Sequence, residues 1–323
     1  MRRAAALQVL GCDEADVPAA IARRSGSDLE DALHAAGGVG AAVRTEAAWR
    51  AASGPPPPLV ERRVLGDAPA RRPRVLDLTR VIAGPVATRT LAAHGADVLR
   101  LDPPDRPEIP LQAYDTLPGK RSALLDLSAR GPALEELLAG ADVVVTGYRP
   151  GALDRFGLAP EELARRHPGL VVVTLSAWGH EGPWAHRRGF DSIVQAACGI
   201  ADVEGADGTP GALPAQVLDH ATGYLAAAGA LLALARQRRA GGSHHVRLAL
   251  AGTAAWLQSL PRGTPVDVPD ADPAPDLVDL DAPDGRLTLA PPPGTVDGRP
   301  LTWPAPAPAY GTAPPSWDGP PGR

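Results

Sequence analysis

The chain has 323 residues, 44% of them hydrophobic, and a formal net charge of −5. That apolar content supports one large core or two modest ones, and the charge balance lacks the basic field that collects nucleic acid or anionic membrane, so neither is an expected partner. Its two cysteines, Cys12 and Cys198, build neither a disulfide framework nor a four-thiolate zinc site, and the N-terminus has no apolar signal core; the expectation is a reducing, cytoplasmic compartment and no bound metal.

The first 49 residues are Ala-rich with helical spacing at Leu29 and Leu33, and a break at Gly37-Gly38. The four-proline run at 55–58 fits neither a helix interior nor a central strand and opens a loose linker that ends at Pro73. From Arg74 to Leu260 strand and helix alternate. Residues 75–79 read as a buried strand, 86–94 as a helix stopped by Gly95, and 97–101 as the next strand. Strands at 122–127, 142–146 and 170–176 follow, with helices at 132–138 and 160–167 between them. After Asp219 a long Ala/Leu helix then runs to Arg239; its most apolar stretch ends in Arg236, Arg238 and Arg239, which marks a buried core helix more than a membrane span. A strand at 245–250 closes the series. The pattern predicts an α/β fold, a doubly wound, mostly parallel, Rossmann-like sheet. Beyond Pro261 the chain is rich in Pro, Asp and Gly, with short strands such as 286–289, and reads as a poorly ordered or surface-wrapping extension. Composition thus divides the chain into an Ala-rich N-terminal segment (1–50), a linker (51–73), a large domain (74–261) and a C-terminal extension (262–323).

The turn after the first strand, Arg80-Val81-Ile82-Ala83-Gly84-Pro85, lacks the G-x-G-x-x-G of a dinucleotide site, although a helix opening at Gly84-Pro85 still offers N–H groups to an anion. Gly119-Lys120-Arg121-Ser122 lacks the upstream glycine of a P-loop, and neither G-x-S-x-G nor H-E-x-x-H occurs. Taken alone, Asp219 at the start of its helix reads as an N-cap.

Residues 75–102, VLDLTRVIAGPVATRTLAAHGADVLRLD, closely resemble the opening of the family III CoA-transferases, which include formyl-CoA and carnitine CoA-transferases and the related α-methylacyl-CoA racemases. The resemblance continues in order through Gly119-Lys120-Arg121-Ser122, the run YRPGALDRFG at 148–157, Gly182-Pro183, Gly189-Phe190-Asp191, Leu218-Asp219 and Gly241-Gly242. It implies acyl-CoA and carboxylic acids as substrates and no permanently bound cofactor. It places Arg80, Val81, Ile82 and Ala83 beside the pantetheine and phosphates of CoA, and Tyr148, Arg149 and Pro150 at the adenine. Lys120, Arg121, Arg155 and Arg188 match basic positions near CoA, and bidentate arginine forks suit its phosphates. Where relatives carry a basic residue after the second strand this chain has Pro103 and Pro104, with Arg106 slightly later.

Asp219 matches the catalytic aspartate, which attacks the thioester to give a mixed anhydride and then an aspartyl-CoA thioester. The helix dipole is expected to favour its ionised form. Racemases hold a histidine where Phe190 stands, which argues for transfer over racemisation. Asp191 is expected to cap the helix that runs to Cys198, with orienting a loop as the alternative. Residues 29–49 look like the end of a family small domain, and about 60 residues follow Pro261, too few for that domain. The expectation is a permuted or truncated member, acting as a homodimer or with a partner transferase subunit. A non-catalytic CoA-binding subunit is the alternative. In either case the loops at 80–84 and 148–151 and Asp219 should meet at the carboxyl ends of the strands.

Overall fold

Valine fills positions 143–145 and again 171–173, and all six are buried, as strands covered on both faces by helices require. The computed structural model describes residues 2–66, 73–129, 131–263, 272 and 274–318. Its main sheet comprises β1 (Glu61–Gly66), β2 (Arg74–Leu78), β3 (Asp97–Asp102), β4 (Lys120–Leu124), β5 (Val143–Thr146), β6 (Val171–Ser176) and β7 (Ser243–Ala249), in the order β1-β7-β6-β5-β2-β3-β4. From β6 across to β4 every neighbouring pair is parallel, with Leu76 opposite both Leu99 and Val144. The chain builds β3 and β4 on one side of β2, then returns to add β5, β6 and β7 on the other. The order therefore reverses between β2 and β5, where a doubly wound sheet opens its crevice.

Most predicted elements lie within two or three residues of the observed ones. Two boundaries differ informatively. The strand expected at 122–127 is Lys120–Leu124, because the charges of Lys120 and Arg121 are paired inside the protein and do not end the strand. The long helix is Val217–Ala240, so Asp219 lies in its first turn and not before it.

The described residues fall into two compact units. One gathers Met1–Val60, Leu175–Ala221 and Arg247–Leu260. Its helices bury Trp49 against Trp178 and Trp184, with ring centroids 4.8–5.6 Å apart. Arg44 and Arg187 lie over the Trp184 ring, and both pair with the buried Glu30. Composition divided the chain differently (1–50, 51–73, 74–261, 262–323), because contacts between residues more than 100 positions apart leave no compositional trace; residues 67–72 of the linker lie outside the described residues.

The other unit gathers Glu61–Thr174, Thr222–Val246 and Pro261–Arg323. On one face of its sheet Leu76, Leu78, Leu99, Leu101, Val144 and Val172 pack with Leu134, Leu137 and Leu138 of the helix Pro132–Gly140 and with Leu163. Each such side chain contributes about 1.5–3 kcal/mol on burial. The alternate residues Asp77, Arg100 and Lys120 face the helix Ala83–Ala93, whose Thr88 reaches Asp77 and Lys120. The helix Val217–Ala240 is long and apolar enough to cross a membrane by length and composition, but more than half of its most apolar stretch is buried in the protein, as a core helix would be.

The C-terminal extension wraps this unit. After an antiparallel hairpin, Val278–Ala282 with Gly285–Leu289, it runs along the edge strand β4: the Gly119 N–H donates to the Ala305 carbonyl, the Gly311 N–H to the Ser122 hydroxyl and the Ala313 N–H to the Ser122 carbonyl. This covers an edge that would otherwise offer unpaired backbone groups. Trp317 closes the strap, its indole N–H 2.8 Å from the Leu137 carbonyl and its ring under the guanidinium groups of Arg74 and Arg121. Trp317→Ala is expected to destabilise this unit by about 3–5 kcal/mol, read as a lower urea midpoint.

Candidate active site

Strand β2 ends in Asp77-Leu78 and Thr79 follows, and the polar side chains tie the turn down. Asp77, fully buried, accepts from the Thr79 N–H (2.9 Å) and hydroxyl (2.5 Å) on one oxygen and from the Thr88 hydroxyl (2.5 Å) and Lys120 Nζ (3.1 Å) on the other. Burial pushes its pKa up, but Lys120, Arg100 and the two threonines outweigh that and hold it below the ordinary carboxylate value. Gly84 opens the next helix against Thr79, where a Cβ would meet the threonine side chain at 2.3 Å, so no larger residue fits. Val81 is in the left-handed region at φ 72°, unusual for a β-branched residue. The turn after β5 comes to the same place, since a Cβ on Gly147 would lie 3.6 Å from Thr79. The loop 80–84 and the loop 147–150 thus lie together at the point where strand order reverses.

Around it, Arg80 is half-buried and donates from Nη2 to the Pro107 carbonyl at 2.7 Å, with Glu108 3.6 Å away. Val81, Ile82 and Ala83 are partly exposed, as is Pro150, while Tyr148 and Arg149 are exposed. Burial raises the Tyr148 hydroxyl pKa and the nearby Arg80 charge opposes the rise, which puts the two side chains in electrostatic reach. Arg155 is exposed with its guanidinium 4.6 Å from the Phe156 ring, and Arg106 is exposed beside Asp105.

Two of the candidates for CoA contact face inward. Lys120 Nζ donates to Asp77, to Thr88 Oγ1 (2.6 Å) and to the Pro85 carbonyl (2.9 Å), which uses all three of its hydrogens; burial pushes its pKa down to about 8. Arg121 grips Asp97 bidentately and the Ser316 carbonyl. They support the turn and the C-terminal strap from within, because each sits inside β4 with its charge already matched.

Arg188 and Asp219 belong to the other unit. Arg188 is partly buried, and its carbonyl accepts from the Trp178 indole at 3.3 Å. Asp219 is buried in the first turn of Val217–Ala240. Its backbone N–H donates to Asp191 Oδ2 at 2.9 Å, and Asp191 Oδ1 accepts from Gln195 Nε2. Asp191 therefore does not cap its own helix, whose N-cap is Phe190; it takes an N–H at the start of the Asp219 helix instead. Burial, and then the Asp191 charge, push the Asp219 carboxyl up to about 7. The dipole expected to favour the ionised form is outweighed by desolvation. Four residues on, Gly223 brings this helix against the start of Ala83–Ala93: a Cβ there would lie 2.6 Å from the Ala83 carbonyl. Among the described residues no group of three or more His, Cys, Asp or Glu side chains is arranged to hold a metal.

Glu108, Tyr310 and the link from Asp191 to Asp219 went unread. The one signal available for the network was a charged residue, Asp77, in the middle of an apolar strand, which has to find partners.

The family described as CoA-transferase family III matches residues 73–266. Relatives include the probable fatty acyl-CoA transferase Rv3272 of Mycobacterium tuberculosis, 32% identical over 58% of this chain and 51% of its own. The succinyl-CoA–D-citramalate CoA-transferase of Chloroflexus aurantiacus is 33% identical over 58% of this chain and 50% of its own. The formyl-CoA:oxalate CoA-transferase of Streptomyces coelicolor is 35% identical over 55% of this chain and 46% of its own. The chain thus spans about half the length of these curated relatives. A crystal structure of Rv3272 superposes with a TM-score of 0.54 over 60% of this chain and 58% of its own, and a CAIB/BAIF family protein from Brucella suis, 28% identical, with 0.53 over 70% and 66%. Because the match takes in more than half of the chain, including the turn after β2 and the helix of Asp219, this chain belongs to CoA-transferase family III.

Proposed function

We propose that the chain moves CoA from an acyl-CoA donor to a carboxylic acid acceptor, with Asp219 as the nucleophile and the turn 80–84 and loop 148–150 as the CoA-binding rim. The observation that carries this reading is the state of Asp219. A carboxylate that merely capped a helix would be held low by the N–H groups it accepts from; this one is buried beside a second carboxylate and raised, as functional carboxylates are. Ionised, its oxygen attacks the thioester carbonyl, the C–S bond breaks and CoA thiolate leaves. The thiolate then attacks the Asp219 acyl carbon and expels the donor acid, leaving an aspartyl-CoA thioester. The acceptor carboxylate repeats both steps in reverse, and with water excluded the thioester energy is kept. The first N–H groups of the helix Ala83–Ala93 suit phosphate or a developing oxyanion. The relatives' named acids, oxalate, citramalate and malate among them, make small carboxylic acids the acceptors to test first. Hydroxylamine added with acyl-CoA should leave a hydroxamate on Asp219, located by peptide mass spectrometry; persistent failure to find it with a binding acyl-CoA removes the covalent route.

A second reading is a subunit that binds CoA and acts with another chain, favoured because one relative, 34% identical, is named a beta subunit. It predicts that CoA raises the melting temperature while the chain alone never exchanges labelled acids. A homodimer and a cytoplasmic location remain part of the first reading, sized by gel filtration and checked by fractionation.

A further inference from the structure

Behind the turn after β2 lies a buried ionic cluster with no place in the transfer chemistry. The Glu108 side chain, 1% exposed, accepts from the Val81 N–H at 2.8 Å and Arg100 Nη2 at 2.7 Å on Oε2, and from the Ile109 N–H at 3.0 Å on Oε1. Arg100, fully buried, also grips Asp102 with two nitrogens. From the C-terminal strap Tyr310 comes in, its hydroxyl oxygen accepting the Glu108 N–H at 3.0 Å. Arg100 Nη2 is shared between Glu108 and the Asp102 carboxylate, and the donors Val81, Arg100 and Ile109 hold the Glu108 pKa below its ordinary value despite burial.

The strained residue is the one this cluster holds. An L residue at φ 72° crowds its Cβ against its own backbone, and such a conformation persists only where the surroundings over-determine it. For Val81 the surroundings are Glu108 on its N–H and the close seat of Gly84 on Thr79 three residues on. We propose that Glu108 and Tyr310 are positioning residues for CoA: together they hold Val81 in its left-handed conformation, so that the turn 80–84 meets the ligand already formed. The C-terminal strap thereby becomes part of the binding site without touching the ligand. This rests on the reading that the turn contacts CoA.

Because glycine takes positive φ freely, Val81→Gly removes the need for the clamp, and a double-mutant cycle isolates it. CoA is titrated by calorimetry into the purified full chain. Glu108→Gln, which sets an amide N–H against at least one of these donors, should weaken CoA binding at least about tenfold beside Val81, the order set by releasing strain of this class. In the Val81→Gly background the same change should cost less than about threefold. Tyr310→Phe should show the same dependence on residue 81 with a smaller loss, and it decides the matter if Glu108→Gln does not fold. An equal loss in both backgrounds, or no loss in either, overturns the proposal and leaves Glu108 as a partner of Arg100 alone. A parent chain that does not bind CoA at all overturns the reading of the turn, a result seen before any variant is made.

Discussion

Asp219→Ala is expected to lower the exchange of CoA between labelled acids by at least about 10³-fold, the scale on which nucleophile removal acts, while CoA binding changes little. The comparison that matters is kcat against the CoA dissociation constant. If Asp219 were only a helix cap, the substitution would cost about 1 kcal/mol of stability and leave the rate of well-folded protein near normal. The geometry argues otherwise, since an N–H in this first turn is taken by Asp191 and not by Asp219 itself. A variant that exchanged at the parental rate would end the proposed mechanism at its first step.

The layers of the fold were legible in the sequence and the clamp beneath the turn was not, for a physical reason. Strand and helix announce themselves by local period, and the alternation of strands such as 142–146 and 170–176 with helices carries the layered fold. Lys120 and Arg121 were placed beside CoA by the resemblance; both turn inward, to Asp77 on β2 and Asp97 on β3. That pairing depends on register, which composition does not carry. Glu108 and Tyr310 lie 202 residues apart and meet only because the strap returns along β4. The Pro-rich composition left the extension as either a poorly ordered tail or a surface wrap; it wraps, with Ala305, Ala307 and Trp317 buried, and a proline-rich segment along a sheet edge needs few ladder hydrogen bonds of its own. Asp191, expected to cap the helix that runs to Cys198, does not: Phe190 stands at that N-cap, and Asp191 accepts the Asp219 N–H instead.

The raised pKa of Asp219 gives a second large effect, in which activity and stability move in opposite directions. The folded carboxyl titrates near 7 against an ordinary value of 3.8, raised by burial first and by Asp191 second. Nucleophilic attack needs the carboxylate, so exchange should fall about tenfold per pH unit below 7 and level off above it. For stability the sign runs the other way from that of a paired carboxylate. A folded pKa raised above the unfolded one means that the native state keeps a proton the unfolded chain has released. The stabilisation is therefore whole below about pH 4, declines as pH rises towards 7, and is gone above it. Three units correspond to roughly 4 kcal/mol at most, so a few kcal/mol is the scale of the loss. Asp219→Asn keeps the shape and cannot ionise. It should come within about 1 kcal/mol of the parent in urea at pH 4.5, exceed it by a few kcal/mol at pH 8, and be inactive at both. Asp191→Asn, which removes the like charge but not the burial, should move the rise in activity to lower pH without abolishing it. An Asp219→Asn protein no more stable than the parent at pH 8 would mean that Asp219 ionises without penalty, and the case for a desolvated nucleophile would fall with it.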